Sequence, residues 1–339
     1  MINVGLIGFG LSGRYLQAPF FQTNQNFNLK KIVTSQQIPQ NLFPNTSRAD
    51  SYEELLEDES LNLISICSPS DTHYEYAKKC LSARKNILIE KPITAHKHEA
   101  EELFRLAEAM NLRIFVFQNR RFDSDFMTVK SVIESGVLGE ILAYEAHFDR
   151  FKPVLNAKKW KERIAPANGI LYDLGSHLID QSIYLFGNPE KISGEVFTQR
   201  AHSEIDDAFD LKLDYGKLKV SLKSSLMVKD QGPKYIVHGT LGSFTKYGID
   251  IQEDHLVAGL WPNQAGFGFE PKEMDGTIKT SIKGLELKGK IETFGGNWNL
   301  LFDNIADVIL QNAESIIKPS QIIEQITIID TIKKKKAEN

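Results

Sequence analysis

The run Ile2-Asn3-Val4-Gly5-Leu6-Ile7-Gly8-Phe9-Gly10-Leu11-Ser12-Gly13 decides the fold. Its first six residues read as a buried strand, and glycines spaced G-x-G-x-x-G carry the chain straight into a helical stretch ending near Phe21. Such glycines often serve ordinary turns. A strand before and a helix after, at the head of a strand–helix–strand unit, make the spacing read as a dinucleotide cradle instead. Gly8 then permits the tight turn, Gly10 lets the backbone approach a pyrophosphate, and Gly13 lets helix and strand pack closely. Leu11 and Ser12 complete the loop, and the helix N-terminus offers its N–H groups to the phosphates.

Strand and helix patterns keep alternating beyond this unit. Leu29–Thr34, Leu61–Cys67, Asn86–Ile89 and Arg113–Phe117 read as strands, and 71–83 and 97–110 as helices. Ser51 and Glu54 have capping-box spacing at the start of a shorter helix. This order predicts an α/β domain over residues 1–120, a doubly wound parallel sheet with right-handed crossovers. From about residue 140 the pattern changes. Strands are expected over 140–149, 191–199, 208–215, 217–228, 234–239 and 243–247, with Asp207–Leu213 alternating at period two. Residues 249–292 read as irregular and glycine-rich, and helices over 297–312 and 319–335 finish an α+β domain assigned to 121–339. Those last helices are expected to be able to return to the first domain.

At 339 residues the chain is long enough for two cores. A net charge of −4, with both signs spread along the chain, gives no electrostatic case for nucleic acid or an anionic membrane. The basic run Lys333–Lys336 reads as a solvated helix end. Cys67 and Cys80 are the only cysteines, with neither metal-type spacing nor a disulfide framework, so no metal is expected. The chain opens on a strand rather than a signal peptide, and no apolar run nears the roughly 20 residues that span a bilayer. A cytoplasmic location is the expectation.

Three places carry chemistry. Dinucleotide folds hold an acidic residue for the adenosine ribose about 20 positions past the glycines; this chain has Val33-Thr34-Ser35-Gln36 there. Without a carboxylate to repel a 2′-phosphate, and with the Thr34 and Ser35 hydroxyls able to donate to it, NADP is preferred and NAD is the alternative. Lys30, Lys31 and Arg14 are the cations within reach. Glu90-Lys91-Pro92 follows the strand Asn86–Ile89, at the end of the sheet where parallel α/β folds bind ligands. A lysine beside a cationic nicotinamide can hydrogen-bond a substrate hydroxyl or exchange its proton. A surface Glu-Lys pair before a turn is the plainer reading. Asp173 and His177 stand four apart beside the helical stripe Leu171, Leu174, Leu178, Leu185, so an imidazole suited to proton removal has a carboxylate on its face. A local hydrogen bond is again the plainer reading.

Taken together, Gly8-x-Gly10-x-x-Gly13, Glu90-Lys91-Pro92 and Asp173-x-x-x-His177, with Ser68-Pro69 and His73 after the third long strand, resemble the glucose–fructose oxidoreductase/inositol dehydrogenase family (Gfo/Idh/MocA) over nearly the whole chain. The resemblance implies a second domain built on a large, mostly antiparallel open sheet, whose free face pairs subunits into a homodimer or larger homo-oligomer. It implies Lys91, Asp173 and His177 as the catalytic set. His177 would be the acid/base, Lys91 would position the reacting oxygen, and Asp173 would orient substrate or histidine. It also implies cofactor contacts from Gly8, Gly10, Leu11, Ser12, Gly13, Thr34, Ser35, Ser68, Pro69, His73, Glu90, Lys91, Asn119 and Trp160. Many relatives have asparagine at the position of Ser70. Gln118-Asn119-Arg120-Arg121-Phe122-Asp123 looks like a branch that includes NADP-dependent scyllo-inositol dehydrogenases, implying a polyol, cyclitol or sugar substrate. For Arg120 and Arg121 an interdomain salt bridge and a ligand contact stay open, and for Trp160 a packing role beside a nicotinamide contact. Two other readings keep the Rossmann domain: a redox-assisted glycosidase with tightly held NAD, and a non-enzymatic dinucleotide sensor. Lys91 with His177 counts against the first, and the full set Lys91, Asp173 and His177 against the second.

Overall fold

A computed structural model describes residues 1–157 and 162–338, with side chains through Lys334, so Trp160 lies outside the described residues. It divides into two compact units. The first holds residues 1–119, 252–267 and 297–322; the second holds 120–251, 268–296 and 323 onward.

The first unit is built on a parallel sheet of β1 (Ile2–Ile7), β2 (Phe27–Val33), β3 (Ser47–Ala49), β4 (Leu63–Ile66), β5 (Asn86–Ile89) and β6 (Ile114–Val116), in the order β3-β2-β1-β4-β5-β6. Strand order reverses between β1 and β4, the kind of switch point beside whose strand ends such sheets bind ligands. Val4, Leu6, Ile64, Ile66, Ile87 and Ile89 are buried, as expected for strands covered on both faces. The covering helices are α1 (Ala18–Thr23), α2 (Glu53–Glu57), α3 (His73–Ser82) and α4 (Lys97–Ala109). Only half of the expected capping box forms at α2. Glu54 accepts from the N–H groups of Asp50 and Ser51, at 2.9 and 3.3 Å, but no side chain caps the helix. A complete box, His96 with Glu99, caps α4. Late in the chain α8 (Asn299–Gln311) joins this unit, where Phe302 stacks on Phe20 at 4.6 Å and the buried Trp298 meets Phe117 edge-on at 6.3 Å.

The second unit carries β7 (Ile141–His147), β8 (Lys191–Phe197), β9 (Ala208–Tyr215), β10 (Leu218–Ser225), β11 (Tyr235–Gly239), β12 (Gly242–Lys246), β13 (Gly276–Ile282) and β14 (Leu285–Ile291). Their order is β14-β13-β12-β11-β7-β10-β9-β8, antiparallel throughout except for β7 against β10. Helices α5 (Ser124–Glu134) and α6 (Ser176–Phe186) pack on one face, where Tyr144 meets Phe186 at 5.3 Å and Phe126 lies 6.5 Å from Tyr235. In β9, Phe209, Leu211 and Leu213 are buried. The alternate residues face water and pair across strands, Lys223 with Asp210 at 3.1 Å and Lys219 with Asp214 at 2.7 Å.

Three further features differ from the sequence reading. Residues 249–292 are not irregular: they contain α7 (Gln252–Val257) and the β13–β14 hairpin, turned at Lys283-Gly284 with φ of 51° and 81°. Two successive positive φ values match the twist of a two-residue hairpin. The alternation Leu285-Glu286-Leu287-Lys288 is the signal that finds β14. Helix α5 occupies residues that the sequence reading leaves unassigned. Lys333 is no solvated end, since it donates to the buried Asp206 and lies over Tyr172 at 5.3 Å. It belongs to α9 (Pro319–Glu338).

Candidate active site

In the first unit, two of the three motif glycines are forced by the protein's own packing. Gly8 has φ of 93°, and a Cβ there would lie 2.7 Å from the Cys67 carbonyl oxygen. A Cβ on Gly13 would lie 2.1 Å from the Gly8 carbonyl oxygen. Gly10 is different, because a Cβ there meets nothing within 4 Å. The backbone is open at the one position where a bound phosphate is expected to come close. Leu11 is exposed beside it, and Ser12–Gln17 is wound as a wider π-type turn before α1.

Glu90 and the glycine loop share one hydrogen-bond network. The Ser12 hydroxyl donates to Glu90 Oε1, and Gln17 Nε2 donates to the same oxygen at 2.7 Å. Ser65 Oγ in turn donates to Gln17 Oε1 at 2.5 Å. Burial pushes the Glu90 carboxyl up, against the Ser12 bond, the Lys91 charge and Gln17. The side chain of Ser12 is thus turned onto Glu90. Lys91 follows, half-buried, at the carboxyl end of β5, and the Lys91–Pro92 peptide is cis.

On the other flank of this turn stands His73, fully buried. Its Nδ1 is 2.8 Å from the Pro92 carbonyl oxygen and its Nε2 is 3.1 Å from that of Ser68. Thr72 Oγ1 donates to the Pro69 carbonyl at 2.7 Å and lies 2.7 Å from Ser68 Oγ, fixing the loop after β4. Both ring nitrogens of His73 therefore face backbone, which leaves neither as a ready ligand for a cofactor.

After β2, the Gln36 N–H donates to Thr34 Oγ1 at 3.0 Å, and Ser35 is exposed. Two of the cations considered for this corner are committed elsewhere. Lys30 donates to Ser60 Oγ at 2.7 Å, and Lys31 pairs with Asp58 at 2.8 Å, holding that carboxyl well below its usual range. Arg14 lies over the rings of Phe9 and Tyr15, at 5.8 and 5.2 Å. Asn119 is buried at the start of the turn Asn119–Phe122.

In the second unit His177 lies in the first turn of α6, buried, with its ring 6.4 Å from that of Phe148. The guanidinium groups of Arg120 and Arg150 and the ammonium of Lys234 surround the Phe148 ring, at 5.6, 5.2 and 4.9 Å. Asp173 is exposed in a π-type turn, Leu171–Gly175, that precedes α6. Asp206 accepts the Leu171 N–H at 3.1 Å, and Gln325 of α9 donates to the Ser176 carbonyl at 2.6 Å, so the entry to α6 is pinned twice.

Arg121 makes a two-pronged ion pair with Asp180, 2.7 Å on each arm, and Arg120 pairs with Asp123 at 3.3 Å. These carboxylate partners lie in the same unit as the arginines. Gln181 donates to the Arg120 carbonyl at 2.8 Å and accepts from the Tyr235 hydroxyl at 2.9 Å. The sequence reading missed Gln17, Asp180 and Gln181. Each is a polar residue set in an apolar helical run, and that is the signal that could have found them.

A family model described as the NAD-binding Rossmann fold of an oxidoreductase family matches residues 2–118, and one described as that family's C-terminal alpha/beta domain matches residues 130–339. The chain belongs to the Gfo/Idh/MocA family and is an NAD(P)-binding oxidoreductase. It is 37% identical over 332 residues to scyllo-inositol 2-dehydrogenase (NADP(+)) IolW of Bacillus subtilis (strain 168), covering 97% of this chain and 92% of that one. It is 36% identical over 335 residues to the oxidoreductase YhhX of Escherichia coli (strain K12), covering 97% and 95%. A solved structure of the oxidoreductase YvaA from Bacillus subtilis superposes with a TM-score of 0.96 at 36% identity, covering 99% of this chain and 96% of that one. Among the described residues no helix is long and apolar enough to cross a membrane.

Proposed function

We infer that this protein is an NADP-dependent dehydrogenase interconverting a secondary alcohol and a ketone on a polyol, cyclitol or sugar. One observation carries the reading. The glycine loop, open at Gly10, is joined through the Ser12–Glu90 hydrogen bond to the residue before Lys91. A cofactor seated in that cradle would lie against the end of the sheet at which Lys91 follows β5. Gly8, Gly10, Leu11 and Gly13 would hold the pyrophosphate, and the Ser68-Pro69 loop and Asn119 lie further along the same strand ends. The loop after β2, Thr34-Ser35-Gln36, has no carboxylate where the adenosine ribose would lie, which favours NADP, as does the likeness to a dehydrogenase named for NADP(+).

Bound nicotinamide supplies the hydride acceptor. Lys91 holds the substrate oxygen by hydrogen bond. His177 takes the hydroxyl proton as the carbonyl forms and returns it in the reverse direction, and Asp173 orients the substrate through a neighbouring hydroxyl. A homodimer or larger homo-oligomer through the charged face of the eight-stranded sheet is part of the same reading, and light scattering on the eluting protein tests it. The function is tested by titrating NADPH and NADH against nicotinamide fluorescence, then adding inositols and aldoses. NADPH preference with polyol-dependent turnover supports the reading; absence of binding by either nucleotide refutes it.

A further inference from the structure

The histidine that opens α3 has a role that cofactor contact does not explain. His73 sits at the positive end of a ten-residue helix, fully buried, between two backbone carbonyls. Burial, more than any other influence, pulls its pKa down; the Lys91 charge acts in the same direction, while the two carbonyls and Asp71 oppose. A helix N-terminus also disfavours an imidazolium. These influences favour the neutral ring, which has one N–H to give. The nearer acceptor is the Pro92 carbonyl, at 2.8 Å from Nδ1, against 3.1 Å from Nε2 to the Ser68 carbonyl.

We propose that His73 is a positioning residue that fixes the Lys91 turn by donating its Nδ1–H to the carbonyl of Pro92. The residue before Lys91 is already held from the glycine loop, through Ser12 and Gln17 on Glu90. His73 supplies the hold on the residue after it. With both neighbours tethered, the backbone of Lys91 has one position, and the ammonium is delivered to the reacting oxygen without a search. A displacement of about 1 Å at such a group costs roughly 100-fold in rate. This inference rests on the reading of Lys91 as the residue at the reacting oxygen.

Two amides separate the positioning role from a packing role. The side-chain nitrogen of asparagine falls near the place of Nδ1, and that of glutamine near the place of Nε2. His73→Asn should keep kcat within about threefold, while His73→Gln should lose roughly tenfold or more, with NADPH Kd in both within about threefold of the parent. Lys91→Met, measured alongside, should abolish turnover. If both His73 variants turn over normally while Lys91→Met is dead, the positioning role is overturned and the site reading stands. Equal losses that follow the lost folded fraction would also overturn it. An active Lys91→Met would overturn the site reading itself. Should neither His73 variant fold, nitrogen NMR of the unaltered protein decides: a proton on Nδ1 is expected, and a proton on Nε2 would overturn the proposal.

Discussion

Gly10→Ala and Gly13→Ala form a pair whose outcomes should diverge. At Gly13 the new methyl carbon would lie 2.1 Å from the Gly8 carbonyl oxygen, so strand end and helix start must separate by about 1 Å. Overpacking of that size costs about 1–3 kcal/mol in the folded protein before any cofactor is added. At Gly10 the methyl meets no protein atom within 4 Å, and the residue is exposed without a positive φ. Stability there should hold within about 0.5 kcal/mol, with a slight gain from the lost freedom of the unfolded chain. If a pyrophosphate crosses the backbone at this point, the same methyl intrudes on it. A penalty of about 2–3 kcal/mol corresponds to roughly 30- to 150-fold in Kd. Thermal melting of the free protein and NADPH titration by fluorescence read the two quantities separately. Gly10→Ala should melt like the parent and bind poorly, and Gly13→Ala should do worse in both. A Gly10→Ala protein that binds NADPH with the parent's Kd would refute the placement of the phosphates.

Lys91→Ala and His177→Ala should each lower kcat by about 100- to 10,000-fold in a polyol-dependent assay. NADPH binding should survive in both, and full turnover in either removes that residue from the chemistry. Glu90→Gln keeps an acceptor for Ser12 and Gln17 but removes a carboxyl whose folded pKa lies above its unfolded value. Between those two values the native state holds the proton more tightly, so stability falls as pH rises through the window, and the cost is fully present above it. The variant should therefore melt at or above the parent at pH 7, the gap closing towards about pH 4; a gap that widens on acidification would reverse the sign of the argument. Asp180→Ala strands Arg121 in a buried setting and should cost about 3–5 kcal/mol in urea unfolding, largely recovered by adding Arg121→Met. A loss under about 1 kcal/mol would show that Arg121 is satisfied without Asp180.

The first unit was legible because its strands are buried on both faces and each is punctuated by a recognisable turn. Spacing alone gives Gly8 and Gly13 their reasons, and the atoms that a side chain there would strike supply the same reasons. What spacing does not carry is where a side chain turns. Ser12 and His73 stand in motifs that suggest ligand contact, yet one faces Glu90 and the other faces two carbonyls. The β13–β14 hairpin escaped for a different cause. An edge strand exposed along nearly its whole length needs no continuous apolar run, and the glycines around it read as loop. Asp180 is invisible until Arg121, 59 positions earlier, is known to need an acceptor.

The chain's last helix also sets a timetable. Ser176, beside His177, is held by Gln325, and Asp206, which pins the same helix entry, is held by Lys333. Strands of that unit emerge from the ribosome well before these two side chains do, and α8 reaches the Rossmann unit almost as late. At about 5–20 residues per second, each half spends many seconds as a nascent chain with an unfinished core. A chain that stops just before Gln325 would keep its glycine cradle and lose the footing of its histidine.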